Sequence, residues 1–332
     1  MRKIRHIIPF LFLTVLFRPV PAQNQPPGNV RWNGYTQIRF TSNFNDVNSF
    51  SMRRMKFWLT SAKGFNNHWG FKIQTTISSN HNESFLLQDV YATYQLHKVK
   101  LRIGQFVPEF SLQRFQPDYV VPLAERSAVV NALIPNGSLG ARDIGLEGGY
   151  TGPGKKLQTW LGVYNGYGIK RYQLNYQGIL LTQKTAFLYA DNHLYSGYSV
   201  MYRKADQLQL KSVLPDSVLF TGNDIRFNIF TRFITGKWQF QAEYFRASLE
   251  QKMADGYYIL ASLTLSKNQI VTSWNKYNDL IANTDNNPVI HFGYNRLVNG
   301  NKLKLMVDDG IRFTRQSIDN QFLTLQMQLF FN

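Results

Sequence analysis

From Val30 to the chain end, polar and apolar residues alternate with a period of two. Trp69, Phe71 and Ile73 share one face while Lys72 and Gln74 share the other. Val99, Leu101 and Ile103 alternate with Lys98, Lys100 and Arg102, and Leu303, Leu305 and Val307 with Lys302 and Lys304. In an extended strand successive side chains point to opposite faces, so each run has one apolar and one hydrated face. Turn signals punctuate them at Gly64, Gly152-Pro153-Gly154, Thr235-Gly236-Lys237 and Asn299-Gly300. The interleaving explains how 44% hydrophobic residues coexist with a mean hydropathy of -0.29. It leaves no room for helical membrane spans, since the one long apolar run lies at the extreme N-terminus.

The pattern predicts about 16 strands, beginning near residues 30–40, 50–60, 69–78, 86–95 and 98–106 and ending with 302–308 and 321–331. Short connectors (96–97, 151–156, 190–193, 235–237, 298–301) alternate with long ones (107–141, 165–178, 204–223, 278–287, 309–320). Tight turns at one end and long loops at the other are the mark of a transmembrane antiparallel β-barrel, all-β. A soluble β-sandwich or propeller would alternate too, but 16 strands would then form two separate cores. The last strand, Phe322 to Asn332, alternates to a near-terminal aromatic, resembling the signal read by barrel-assembly machinery in Gram-negative outer membranes. Trp58, Trp69, Tyr94, Trp160, Tyr164, Trp238 and Tyr257 fall near strand ends, where interfacial aromatic girdles are expected.

Residues 1–22 read as a signal peptide: Arg2, Lys3 and Arg5, an apolar core Ile7–Phe17, then Val20-Pro21-Ala22 as the cleavage site. About 11 apolar residues fall short of the roughly 20 that span a bilayer. The expected domains are therefore the leader and a barrel over 23–332, exported to the outer membrane and facing lipid and lipopolysaccharide. Removing four basic residues leaves 33 Lys+Arg against 20 Asp+Glu, a formal +13. The chain has no cysteine, which excludes disulfides, thiolate metal sites and thiol catalysis.

Several segments carry a resemblance. Met52-Arg53-Arg54-Met55-Lys56, Leu87-Gln88-Asp89-Val90-Tyr91, Leu101-Arg102-Ile103-Gly104-Gln105-Phe106, Pro108-Glu109-Phe110-Ser111-Leu112 and Ala124-Glu125-Arg126-Ser127 follow in order. With these the chain resembles the phosphate-selective porins O and P. The resemblance implies a 16-stranded channel, usually a homotrimer, whose third outer loop folds inward to narrow the pore; here that loop is 107–141. Val107 stands where the family often carries lysine, and Gln113 where it usually carries glutamate.

If the apolar faces meet lipid, the opposite faces line the lumen. They carry Arg39, Arg54, Lys56, Lys72, Lys98, Lys100, Arg102, Arg226, Arg232, Lys302 and Lys304, with Arg114 and Arg126 in the connector. Such cations pass anions when the sites are several and individually modest, and the planar guanidinium can donate two parallel hydrogen bonds to phosphate. A charge facing lipid at mid-depth costs roughly 2–4 kcal/mol, which also argues for inward placement. Strict alternation puts Arg53 on the face of Met55 and Phe57; either it lies at the outer rim or a bulge turns both arginines inward. Asp89, Glu125, Asp143 and Glu147 are expected to orient the cations through salt bridges.

Gly149–Lys155 imitates a phosphate-binding loop, but Lys156 replaces the Ser or Thr and a strand follows instead of a helix. The six histidines lack metal-ligand spacing and no Gly-x-Ser-x-Gly is present. No catalytic, metal or cofactor site is expected, and export argues against a nucleic-acid partner. The leading function is passive diffusion of small anions such as phosphate. Adhesion or receptor recognition by the outer loops, and less readily a barrel-embedded hydrolase, are the alternatives.

Overall fold

The computed structural model describes residues 29–62, 65–78, 84–169, 178–189, 193–281, 287–313 and 318–331. The expected leader, 1–22, lies outside the described residues. Sixteen strands follow in order: β1 (Val30–Ser42), β2 (Asn48–Ser61), β3 (Trp69–Ser78), β4 (Ser84–Leu96), β5 (Val99–Phe106), β6 (Asp143–Thr151), β7 (Leu157–Tyr164), β8 (Leu180–Tyr189), β9 (Leu194–Gln209), β10 (Leu219–Thr235), β11 (Trp238–Leu249), β12 (Lys252–Leu265), β13 (Asn268–Asn278), β14 (Val289–Asn301), β15 (Leu303–Phe313) and β16 (Ile318–Phe330). Each pairs antiparallel with its neighbour, and β16 returns to β1 through eight pairs from Tyr35–Phe330 to Ser42–Leu323. The sheet is a closed barrel, which leaves no unpaired edge in hydrocarbon. An even strand number places both described ends of the chain at one end of the barrel.

Burial is inverted relative to a soluble protein. On β10, Ile225, Phe227 and Ile229 point outward and are exposed, while Asp224, Arg226 and Asn228 are buried inside. Lipid is the outer solvent, so the apolar face belongs outside. Ile73 and Leu101 are outward as expected, as are Trp69 and Trp238 near strand ends. Trp58, Trp160 and Tyr164 do not join the girdle; Trp160 points inward, against the Lys184 ammonium and Phe230. Trp58 shares the inner face of β2 with Arg54 and Lys56, and Tyr164 is buried inside against Phe106.

Two of the expected long connectors are largely strand. β9 and β10 run through much of 204–223, leaving 210–218 as the connector. Gln207 has a φ of 48° and the register shifts between Phe220 and Gly222, so a bulge breaks the period of two there. β15 and β16 likewise take up most of 309–320. The loop-like Gly149–Lys155 segment is a hairpin: β6 ends at Thr151, a single 3-10 turn covers Pro153–Lys155, and β7 starts at Leu157.

The segment 107–142, between β5 and β6, runs across the lumen. It carries the one α-helix among the described residues, α1 (Ala128–Leu133). Val129, Val130, Leu133 and Ile134 pack with the inward Phe245, Ala254, Tyr258 and Leu260 of β11 and β12 in one apolar core. Elsewhere polar bonds tie it to the wall. Glu243 of β11 accepts from the Leu112 and Gln113 amides at 2.9 and 2.7 Å. Asn295 of β14 donates to the Pro122 carbonyl at 2.7 Å, and the Ala124 amide donates to Asp308 of β15 at 3.0 Å. One half of the lumen is thereby filled.

Candidate functional site in the lumen

The space left open lies between this connector and the inner faces of β2–β5. It is a cavity of about 700 Å³. Eight cations (Arg53, Arg54, Lys56, Lys72, Arg102, Arg114, Arg126 and Arg142) face three carboxylates (Asp89, Asp118 and Glu125), a formal excess of five positive charges.

The β2 cations come from two devices. Arg54 and Lys56 sit two residues apart and share the inner face. Gln37 pairs with Arg54 and Ile38 with Met52, so Arg53 is the extra residue of a bulge. The bulge turns Arg53 inward beside Arg54, and both meet Glu125. β4 repeats the device: Gln74 pairs with Asp89 and Thr75 with Leu87, leaving Gln88 extra.

Each lumen carboxylate serves several cations. Glu125 accepts from Arg39 Nη1 at 2.8 Å and Arg53 Nη2 at 3.0 Å, with Arg54 Nη2 3.7 Å away. Burial would raise the Glu125 carboxyl, but Arg53, Arg54 and Arg39 hold it down at about 2. Asp118 pairs with Arg54 Nη1 at 2.5 Å and also contacts Lys56 and Arg126. Asp89 accepts from Lys72 and from Arg142 Nε, both at 2.8 Å. Arg102 pairs with Glu147 at 2.5 Å and lies 4.1 Å from the Phe106 ring centroid. Arg114 differs: among the described residues it makes no ion pair, and its Nε is buried without a hydrogen-bond partner.

Of the candidate anion-pathway residues, Arg53, Arg54, Lys56, Lys72, Arg102, Arg114 and Arg126 come together here. Arg39 faces inward but stands behind the connector, donating to Gln326, to the Ala124 carbonyl and to Glu125. Lys98 and Lys302 are not on the lumen wall; both sit exposed in turns, where alternation has no meaning. Lys100 is exposed at the turn end of β5. Lys304 donates to the Tyr119 and Val121 carbonyls, and Arg226 to that of Ile134, so both hold the connector. Arg232 lies over the Tyr195 ring. Asp143 forms no ion pair among the described residues; it accepts from Asn136 and the Gly166 amide instead.

Three inward cations escape the sequence pattern. Arg142 follows directly on 107–141. Lys184 donates to Glu109 at 3.0 Å and the Ser111 carbonyl at 2.9 Å, and Arg203 to Asn136 at 2.7 Å. On β8 the inner face is Leu180, Thr182, Lys184 and Ala186, so polarity does not distinguish it from the outer one. Among the described residues no group of His, Asp or Glu side chains has metal-binding geometry.

A closed 16-strand barrel, apolar outside and charged within, with a connector across its lumen, defines an outer-membrane porin. Residues 27–280 match the model of the phosphate-selective porins O and P, and the chain belongs to that family. Solved structures agree on the fold. OmpF of Salmonella typhi, in complex with daunomycin, superposes with a TM-score of 0.67 at 8% identity over 91% of this chain and 97% of that one. An anion-selective porin from Comamonas acidovorans gives 0.66 at 9% identity, over 91% and 99%. The outer membrane channel DcaP of Acinetobacter baumannii gives 0.64 at 13% identity, over 91% and 97%. No curated protein matches the chain.

Proposed function

We propose that the protein is a passive porin that prefers small anions, phosphate among them, with 107–142 as its constricting loop and Arg53, Arg54, Lys56, Lys72, Arg102, Arg114 and Arg126 lining the path. The observation that carries this is the excess of five positive charges around the open half of the lumen. An anion entering it finds fixed donors in place of water, while a cation meets a positive field. Multiple sharing keeps each site modest: Asp118 and Glu125 are each already shared among several of these cations, so an incoming anion adds to a network and can leave it. Among the described arginines that line the path, Arg114 alone has no carboxylate partner. Phosphate suits such a fork better than chloride because it accepts two parallel hydrogen bonds.

The trimer form of OmpT from Vibrio cholerae, which shares the fold, supports a trimer here as well. The leader over 1–22 and the family support export to a Gram-negative outer membrane. The test is the reversal potential of the purified protein in a planar bilayer under a potassium chloride gradient. Chloride permeability should exceed that of potassium, and added phosphate should reduce the chloride current. A reversal potential of the cation-selective sign would refute the proposal.

A further inference from the structure

We infer that the preferred solutes are anions that carry a flat aromatic group, for which the lumen provides a stacking wall one step beyond the cations. This rests on the anion preference proposed above. On the inner face of β2, Arg54 and Lys56 are followed by Trp58, each about 6.6 Å further along the strand. Tyr119 of the connector lies parallel to Trp58, within 3°, with ring centroids 6.4 Å apart. Tyr35 and Phe330 back them: Tyr35 is 2% exposed, and its ring lies 6.1 Å from Trp58 and 5.6 Å from Tyr119. Phe330 is 4.8 Å from Tyr119. These rings therefore cannot turn away, and both Trp58 and Tyr119 border the open cavity.

Aromatic side chains inside a water-filled lumen are costly to keep wet, and the lipid interface outside would accept them. Their position beside Asp118 gives them a use. Asp118 is ringed by Arg54, Lys56 and Arg126, three cations on one carboxylate. Two positive charges thus remain for a solute's anionic group while its ring lies on Trp58 or Tyr119. Ring stacking of this kind adds affinity without demanding a particular ring. The solute class is an aryl phosphate or aromatic carboxylate.

The experiment compares phenyl phosphate with methyl phosphate as blockers of the chloride current, using the full-length protein in bilayers. The two share their charge and their phosphate donors and differ in the ring. Phenyl phosphate should half-block at about tenfold lower concentration, equivalent to about 1.4 kcal/mol. The Trp58→Leu/Tyr119→Leu double variant should bring the ratio of the two half-blocking concentrations close to one, while Trp58→Phe retains most of it. Heat-modified mobility on gels confirms that each variant is folded. A ratio near one in the unaltered protein, or a ratio the double variant leaves intact, overturns the aromatic site, and methyl phosphate block then leaves the anion preference standing. Block by neither ester in a cation-selective channel overturns both.

Discussion

Replacing Arg54 and Lys56 together with Gln removes two of the eight cations that line the open lumen and leaves its polarity and volume almost unchanged. The formal excess falls from five to three. A unit charge about 5 Å from a permeating ion in water contributes about 0.8 kcal/mol. Two such charges, screened over a Debye length of about 10 Å at 0.1 M salt, give about 1 kcal/mol. That is about a fivefold loss of anion concentration at this depth, with a matching gain for cations, so the chloride-to-potassium permeability ratio should fall by up to about 25-fold. Reversal potentials in a salt gradient measure it directly. Both residues also hold Asp118, and releasing the connector would be a different cause for the same loss. Adding Asp118→Asn separates the two: six cations then face two carboxylates, an excess of four. If charge governs, the triple variant recovers part of the anion preference. A triple variant at or below the double refutes the electrostatic argument and assigns the effect to connector geometry.

Lys at Ile73 or Arg at Leu101, both outward and exposed to lipid, should cost about 2–4 kcal/mol each and sharply reduce the heat-modifiable folded band on gels; Gln74→Lys, on the inner face, should be tolerated. Asp224→Asn leaves Arg203 and Arg226, both within 1% of full burial, without their carboxylate, and should destabilise the protein by about 3–5 kcal/mol in urea titrations in detergent. Glu125 has its carboxyl depressed from 4.5 to about 2, so the stability it gives is complete above about pH 4.5 and is lost as pH falls toward 2. Channel current noise should rise over that window as the connector loosens, and Glu125→Gln should be equally noisy at neutral pH and insensitive to acid.

Legibility followed the contrast between lipid and water. Where one face of a strand meets hydrocarbon, as in β3 and β7, alternation places both ends to the residue. Where bulges shift the face, as at Gln207 and Thr221, the strand continues but the pattern does not. Arg53 shows the same ambiguity at a single residue: two in-line arginines are compatible with a rim position or a bulge, and only the pairing of β1 with β2 decides. Lys98 and Lys302 fall in phase with their neighbours yet belong to turns. The partners of the connector were beyond reach, because Glu243, Asn295 and Arg203 approach it through tertiary contacts that no local spacing encodes.

The connector also acts as a gusset across the seam of the barrel. The first and last strands meet through eight residue pairs, and Arg39 of β1 holds Gln326 of β16 and Glu125 at once. Gln328 of β16 and Lys304 of β15 both donate to the Tyr119 carbonyl, while Arg53 and Arg54 of β2 meet Glu125 from the other side. One stretch of chain from Tyr119 to Glu125 therefore buttons together strands from the two extremes of the sequence. Closure of the cylinder and the width of its passage depend on the same few bonds, so a wider passage comes with a weaker seam.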